Sequence, residues 1–314
     1  MHLRDLLSVA APSAPDSVPD WILGCFKRKS ITFANGLTDL STQVFWLQGR
    51  NQTIDLRLPV DSELIKAPWR DCSFEQLEVL ADYEGWSADS HWQDGQLSWS
   101  GGVSYQLHNR WPEPAILNRV GNCMIELSPR ATYVEDWRIQ SIHPGALISL
   151  TLLDETDAQT GTQRHKGGAL IIAGEWAGLV LGRAREGLSS ECSGPLRQAL
   201  RDCQHDQDAL SELFGFEASI GWGNLEAGFT VLHSTSDARM GEPLLPLEGF
   251  EWVGDSNFVV HRFTQGGRPI ERRYYVDAIE ADVAFSSCTA WHPESEAWFE
   301  RERGTLKRYT EIVR

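Results

Sequence analysis

The chain has 314 residues, which is long for one hydrophobic core and sufficient for two, so we expect two domains. Its 41% apolar and 23% charged residues are typical of a globular protein and exclude a disordered chain. The formal net charge of -16 would repel a phosphate backbone, so we expect no nucleic-acid partner.

The sequence also predicts a compartment. No run approaches the roughly 18 to 20 apolar residues that span a bilayer, and the amino terminus lacks the pattern of a signal peptide, so we expect no membrane partner. Six cysteines without CxxC spacing favour free thiols over a disulfide framework. They are Cys25, Cys72, Cys123, Cys192, Cys203 and Cys288. We therefore predict a cytoplasmic protein.

Short alternating runs separated by turn residues predict antiparallel sheet from Ser30 onward. Asn35-Gly36 suits a tight turn between strands at Ser30–Phe33 and Ser41–Gln48, and Gln52–Leu58 follows as a third strand. Further strands are predicted at 98–108, 123–127, 131–140, 146–153, 169–176, 178–183, 216–222, 228–233, 258–263 and 272–278.

Three segments have helical signals. Ser73–Ala81 begins with a capping box formed by Ser73 and Gln76. Pro195–Phe214 carries leucines at helical spacing, and a charged helix is expected at Glu294–Arg303. In that last helix, we expect Trp298 and Phe299 to be the docking residues.

The polar stretch Asp154–Gly168 is either a long hairpin tip or a passage between domains, and we favour the passage. This choice sets the predicted domains at residues 20–155 and 165–290, with a helix and tail at 291–314.

The most informative strand is Ala131–Gln140, because its period of two places Tyr133, Glu135 and Trp137 on one face. A carboxylate between two aromatic rings is costly unless it is paired or borders a wet cavity. Such surroundings would raise the pKa of Glu135, which could then act as a general acid or base with Tyr133 as a neighbouring donor. The alternative is a buried Glu–Arg pair that holds a barrel together.

Two further groups could join this site. His108 and Arg110 share a strand face just before the turn at Trp111, and a histidine suits proton transfer near neutral pH. Asp55 and Arg57 share a face of the third strand, where they could form an ion pair or bind a polar ligand group.

Other chemistry has little support. His233 and His261 are candidate bases or ligands, but there is no HExxH, paired-cysteine or EF-hand pattern, so we expect no metal. No Gly-x-Ser-x-Gly elbow or Walker sequence is present. We therefore expect no cofactor.

Several segments taken together resemble the Hri-type lipocalin-like family over about residues 25–255. They are Val44-Phe45-Trp46-Leu47-Gln48, Asp55-Leu56-Arg57-Leu58-Pro59, Trp111-Pro112, Ala169–Arg183, Ser219-Ile220-Gly221-Trp222 and Leu247–Trp252. The resemblance implies a mostly β protein with two lipocalin-like antiparallel β-barrel domains and a few short helices. It implies no established activity. Two-domain lipocalin-like enzymes such as carotenoid hydratases and pericyclic cyclases share only this architecture.

We first expect a cofactor-independent lyase, isomerase or cyclase that acts by acid–base chemistry on a hydrophobic or aromatic small molecule in a Trp-rich barrel cavity. Its predicted catalytic residues are Glu135, Tyr133 and His108. Its predicted substrate-binding residues are Trp46, Gln48, Asp55, Arg57, Arg110, Trp111 and Trp137.

Two alternatives stay open: a carrier or sensor of an apolar ligand or a pigment such as heme, and a protein-interaction module that the family's name suggests. A homodimer is a further alternative to a monomer. In the second half, we expect Trp176, Trp222 and Trp252 to plug a barrel.

Overall fold

A computed structural model describes residues 1–9, 17–184, 194–203, 206–254, 256–290 and 292–314. Most of its regular structure is β-strand, which confirms the predicted class. The first sheet contains β1 Gly24–Phe33, β2 Thr38–Asp39, β3 Gln43–Gln48, β4 Gln52–Leu58, β5 Glu84–Gln93, β6 Gln96–Ser104, β7 Ala115–Val120, β8 Cys123–Leu127 and β9 Tyr133–Ile139.

This sheet closes into an eight-stranded antiparallel barrel, here called the first barrel, because β1 pairs with both β3 and β9. The pairing with β9 runs from Phe26 opposite Ile139 to Phe33 opposite Tyr133. The predicted turn at Asn35-Gly36 is confirmed, but it leads first to the two-residue strand β2. Barrels of eight strands have interiors that side chains can fill or that hold one small ligand.

The second sheet contains β10 Gly145–Asp157, β11 Gln163–Lys166, β12 Gly168–Ala173, β13 Trp176–Leu181, β14 Glu217–Asn224, β15 Gly228–Ser234, β16 Phe250–Trp252, β17 Phe258–Gln265 and β18 Arg268–Val283. Within the described residues its end strands, β15 and β16, do not pair, so a second closed barrel is not confirmed. Segments outside the strands make backbone hydrogen bonds near these end strands instead. The Leu244 amide donates to the Phe229 carbonyl of β15 at 2.8 Å, and the Leu3 amide donates to the Leu247 carbonyl, which precedes β16, at 2.7 Å.

The stretch Asp154–Gly168 is a hairpin within the second sheet and not a passage between domains. Asp154 pairs with Lys166, and Glu155 with His165, across β10 and β11. Strand β10 also pairs along its length with β12 and β18, so the second sheet begins at Gly145.

Helix α1, Phe74–Leu80, has the predicted capping box between Ser73 and Gln76. The prediction of a single helix at Pro195–Phe214 is wrong, because two helices form there. Helix α2, Leu196–Asp202, ends before the Asp206 cap, and helix α3, Gln207–Leu213, begins after it. The helices are α1 Phe74–Leu80, α2 Leu196–Asp202, α3 Gln207–Leu213 and α4 Glu294–Leu306, with 3-10 turns at Leu3–Ser8, Asp20–Ile22, Asp61–Glu63, Trp69–Asp71 and Asp237–Arg239.

The terminal helix α4 forms, but it buries no residue. Trp298 is 50% exposed and Phe299 is 41% exposed, so neither docks the helix as predicted. Trp222 is 51% exposed and does not plug the second sheet. Trp176, in contrast, stacks on Phe45 of the first barrel.

The first barrel and the second sheet pack through their outer faces. Leu47 and Ile54 point away from the barrel interior and join one buried cluster with Ile171, Val180 and Ile220 of the second sheet. This explains why β4 is buried on both faces, with inward polar residues and outward apolar ones. The two sheets therefore share a buried hydrophobic cluster.

Within the part of the chain that the structure describes, no helix combines the length and apolar character needed to cross a membrane. Cys192 lies outside the described residues, and the other five cysteines are free thiols.

Candidate functional site

Charged side chains from four strands of the first barrel meet in its interior. Alternation turns Asp55 and Arg57 of β4, Glu126 of β8 and Glu135 of β9 inward, and Arg28 of β1 joins them. Burying this many charges is costly unless they pair, so the contacts between them decide what the site can do.

Glu135 is ion-paired, in agreement with the alternative prediction of a buried Glu–Arg pair. Its Oε1 lies 2.8 Å from Arg28 Nη1 and 3.9 Å from Arg57 Nη1, and its side chain is 1% exposed. Arg28 also contacts Asp39 at 2.8 Å, near the surface. Because β1 and β9 are the strands that close the barrel, the Arg28–Glu135 pair lies across its closure.

Glu126 shares the interior with Glu135, and the two residues lie directly opposite each other on β8 and β9. The carboxylate of Glu126 accepts hydrogen bonds from Tyr133 Oη at 3.1 Å and from Trp137 Nε1 at 3.1 Å. Burial raises the pKa of Glu126 well above its usual range, and repulsion from Glu135 raises it further. The pKa of Tyr133 is also raised, by burial and then by these two carboxylates. The protonated form of Glu126 is therefore favoured beside Glu135.

The predicted same-face pair forms within the cluster, with Arg57 Nε donating to Asp55 Oδ1 at 2.8 Å. Burial raises the pKa of Asp55 to about 6, and the adjacent guanidinium moderates this rise. Arg57 Nη1 is buried and has no hydrogen-bond partner among the described residues. Its guanidinium carbon lies 4.2 Å from the centre of the Trp111 ring, so the cation stacks on that indole.

Trp111 covers this cluster from the loop between β6 and β7. Its indole N–H donates to Glu84 Oε1 at 2.9 Å, and its ring meets that of Tyr133 edge to face at 5.6 Å. Arg110 Nη1 lies 3.4 Å from the other Glu84 oxygen. Glu84 therefore fixes both predicted substrate-binding residues of this loop.

Trp111 borders three cavities. The interior cavity, around Asp55, Arg57, Glu126 and Tyr133, has a volume of about 10 Å³, which is room for roughly one water molecule. The mouth cavity, of about 410 Å³, is lined by Arg28, Ile31, Phe33, Asp39, Thr42, Arg57, Leu58, Pro59, Glu63, Val79, Asp82, Tyr83, Glu84, Arg110 and Trp111. Of these two cavities, only the mouth cavity is large enough for a ligand, and Trp111 lies between it and the interior cavity.

The third cavity, here called the cleft, has a volume of about 640 Å³ and lies between the β5–β6 side of the first barrel and the second sheet. His108 lines the cleft and neither of the other two cavities, so the structure does not join it to Glu135. Its Nδ1 is buried without a hydrogen-bond partner in the described parts of the chain.

Trp46 and Gln48 belong to a structural network instead. Trp46 Nε1 donates to Gln48 Oε1 at 3.0 Å, and Thr53 donates to the same oxygen at 2.6 Å. The Gln48 amide donates to two backbone carbonyls and to Ser90. Because its groups are all paired internally, Gln48 has no group available for a ligand.

His233 and His261, the candidate histidines of the second half, line none of these three cavities. His233 stacks on Phe45, and burial with nearby Lys27 lowers its pKa to about 4. His261 stacks on Phe250, and burial with nearby Arg272 lowers its pKa to about 3. In the described residues, no group of three or more His, Cys, Asp or Glu side chains could hold a metal ion.

Sequence reasoning missed Glu126, Arg28 and Glu84. Glu126 had a usable signal, because Met124 and Glu126 alternate with outward residues along β8 as Tyr133 and Glu135 do along β9. Arg28 had none, since a register shift between Arg28 and Ser30 interrupts the alternation of β1.

Comparison of the chain with protein-family models, curated proteins and solved structures gave no match. The resemblance to the Hri-type lipocalin-like family therefore stays a prediction.

Proposed function

We propose that the chain is a cofactor-independent enzyme of the lyase or isomerase kind, which moves protons with the paired carboxyl groups of the first barrel. The observation that carries this proposal is Glu126 directly opposite Glu135, in a buried cluster that raises the pKa of Glu126. A carboxyl that keeps its proton beside one that has lost it supplies an acid and a base together.

The chemistry follows from the contacts of each carboxyl. Glu135 is ion-paired with Arg28 and acts as the base, which accepts a proton from a substrate carbon. Glu126 keeps its proton and donates it to the oxygen on which charge develops. Arg57, with one unpartnered N–H group, stabilises that oxygen electrostatically. This enolisation leaves one proton on Glu135 and one on the substrate oxygen. Return of the Glu135 proton to a second carbon, and of the oxygen-bound proton to Glu126, completes the isomerisation and restores both carboxyl groups.

The mouth cavity supports a substrate with an aromatic or apolar body and a polar group. Ile31, Phe33 and Leu58 supply apolar surface, while three arginines and four carboxylates supply polar contacts, among them Arg28 and Arg57. Trp111 separates this cavity from Glu126, so we propose that it swings aside when substrate binds. Its indole is held to the barrel by one side-chain hydrogen bond, to Glu84.

Exchange of carbon-bound hydrogen in D2O tests the proposal, with phenylpyruvate and phenylacetone as first probes and NMR as the readout. We expect Glu135→Gln to lower the exchange rate at least about 100-fold. Glu155→Gln is a matched control, because Glu155 is also buried and ion-paired, with Arg272 at 2.6 Å, but lies in the second sheet. Equal rates for Glu135→Gln and the unaltered protein would contradict the proposal.

The carrier hypothesis keeps one specific support, the cleft of about 640 Å³, whose volume suits a small ligand. His108 is the histidine that would face a pigment there. A visible absorption band in the purified protein, lost in His108→Ala, would favour a bound pigment over acid–base chemistry. From the sequence we also propose that the first barrel is lipocalin-like, that the protein is cytoplasmic and that it can form a homodimer.

A further inference from the structure

We infer that the cleft binds a neutral saccharide, because three half-buried tryptophans and a set of hydroxyl, amide and carboxylate side chains line the same space. The three tryptophans also line the interior cavity, but neither Glu126 nor Glu135 lines the cleft. Saccharide binding there does not depend on the acid–base function proposed above.

The aromatic wall consists of Trp86, Trp99 and Trp111. Trp86 and Trp99 meet edge to face at 5.8 Å, so their two ring planes form a corner. The indole N–H of Trp99 donates to Thr53 at 3.0 Å, and that of Trp111 donates to Glu84, so hydrogen bonding of both rings is satisfied within the protein. What they offer a ligand is flat apolar surface, which matches the C–H face of a sugar ring.

The polar part of the lining suits hydroxyl groups. Asp89 and Ser100 are exposed on β5 and β6. Asp89 accepts a hydrogen bond from Gln52, and Ser100 Oγ lies 2.7 Å from His91 Nε2, but each oxygen group can make further hydrogen bonds to a ligand in the cleft. Ser87 Oγ and His108 Nδ1 have no hydrogen-bond partner among the described residues, and a buried group in that state costs free energy. A sugar hydroxyl both donates and accepts, so small adjustments of the lining would let it satisfy either group.

The charges that line the cleft favour a neutral ligand. They are two carboxylates, Glu84 and Asp89, and three cations, Arg110, Lys166 and Arg183. Glu84 and Arg110 pair with each other. Arg183 donates to three backbone carbonyls, of Ser104, Tyr105 and Leu213. The other charges, Asp89 against Lys166 and Arg183, are of both signs, so the lining does not present a field of one sign to an ionic ligand.

The size of the cleft limits the ligand. Its volume of about 640 Å³ falls within the range of pockets that hold small organic ligands. Gly101 and Gly102 are among the lining residues and carry no side chains that would reduce this volume. A volume of this size suits a short oligosaccharide of two or three rings.

Isothermal titration calorimetry with cellotriose, maltotriose and xylotriose tests the inference on the full chain. We expect at least one trisaccharide to bind with a Kd below about 1 mM, and Trp86→Ala to weaken it about tenfold. Trp298→Ala is the matched control, since Trp298 is exposed on α4, and its affinity should be unchanged. Ser100→Arg, at an exposed strand position, should block the cleft even if Trp86→Ala fails to fold.

Failure to bind any of the three sugars overturns the inference. So does binding that survives both Trp86→Ala and Ser100→Arg. Binding of 2-naphthoate or tetramethylammonium in place of the sugars would assign the cleft to an anion or a cation and overturn it as well. Glu135→Gln should leave sugar affinity unchanged, so a loss of catalysis and a loss of saccharide binding are distinguishable.

Discussion

Glu126 and Glu135 face each other across β8 and β9 inside the first barrel, within a cluster that also holds Arg28 and Arg57. Like charges directly opposite on adjacent strands repel, and burial strengthens that repulsion. The fold accommodates the arrangement because Glu135 is paired with Arg28 and the raised pKa of Glu126 favours its uncharged form.

Glu126→Gln should change how stability depends on pH. The folded-state pKa of Glu126 is raised, so the stabilisation from its proton is present in acid and is lost as pH rises through that pKa. Gln is uncharged at every pH, although only one of its two terminal atoms can accept a hydrogen bond, whereas Glu126 accepts from both Tyr133 and Trp137. We therefore expect the free energy of unfolding of the variant, relative to that of the unaltered protein, to rise by at least ~1 kcal/mol between about pH 5 and about pH 9.

Urea titrations across that pH range measure this difference. Glu212→Gln, in helix α3 of the second half, is a comparison variant outside the first barrel. A difference between Glu126→Gln and the unaltered protein that stays constant with pH would show that Glu126 carries no retained proton.

Arg28→Ala should destabilise the protein by about 3 to 5 kcal/mol, because it leaves Glu135 buried without its closest cation. Arg262→Ala is the control. Arg262 also contacts two carboxylates, Glu251 and Glu271, but its side chain is 55% exposed, so we expect a loss of less than about 1 kcal/mol. Similar losses in both variants, measured by denaturant unfolding, would contradict the structural role of the Arg28–Glu135 pair.

Two glycines with positive φ should respond differently to alanine. Gly102 has φ +75°, and its added Cβ would lie 1.8 Å from a backbone oxygen, so Gly102→Ala requires the strand to shift. Gly121 has φ +60° but open space around the same position, so Gly121→Ala meets only the backbone penalty of about 1 kcal/mol. We expect Gly102→Ala to lower the free energy of unfolding by at least about twice as much. Equal losses would refute the close approach of β5 and β6.

Trp111→Ala should expose the interior of the first barrel. Trp111 separates the interior cavity from the mouth cavity, while Trp137 Nε1 donates to Glu126 beneath it. We expect hydrogen exchange at the Trp137 indole, followed by NMR, to rise at least about tenfold in Trp111→Ala. Trp298→Ala should leave that rate unchanged, since Trp298 lies on the surface. An unchanged rate in Trp111→Ala would mean that Trp111 is not the cover.

Local patterns predicted the parts of the fold that depend on neighbours in the chain. The strand Gln52–Leu58, the capping box of Ser73 and the inward face of Glu135 all follow from periods or spacings within about ten residues. The helix at Pro195–Phe214 failed on the same grounds, because leucine spacing alone did not reveal that Asp206 begins a new helix.

The chain by itself determined that this protein is built of antiparallel strands and that Glu135 and Trp137 point inward, because side-chain direction in a strand follows from its period of two. Only the tertiary structure decided which charges Glu135 meets. Arg28 lies 107 positions away in the chain and reaches it through closure of the barrel, while Glu126 reaches it through strand register. Pairing across strands depends on packing of the whole sheet, and that packing placed the predicted inward carboxylate in a cluster of charged residues beneath Trp111.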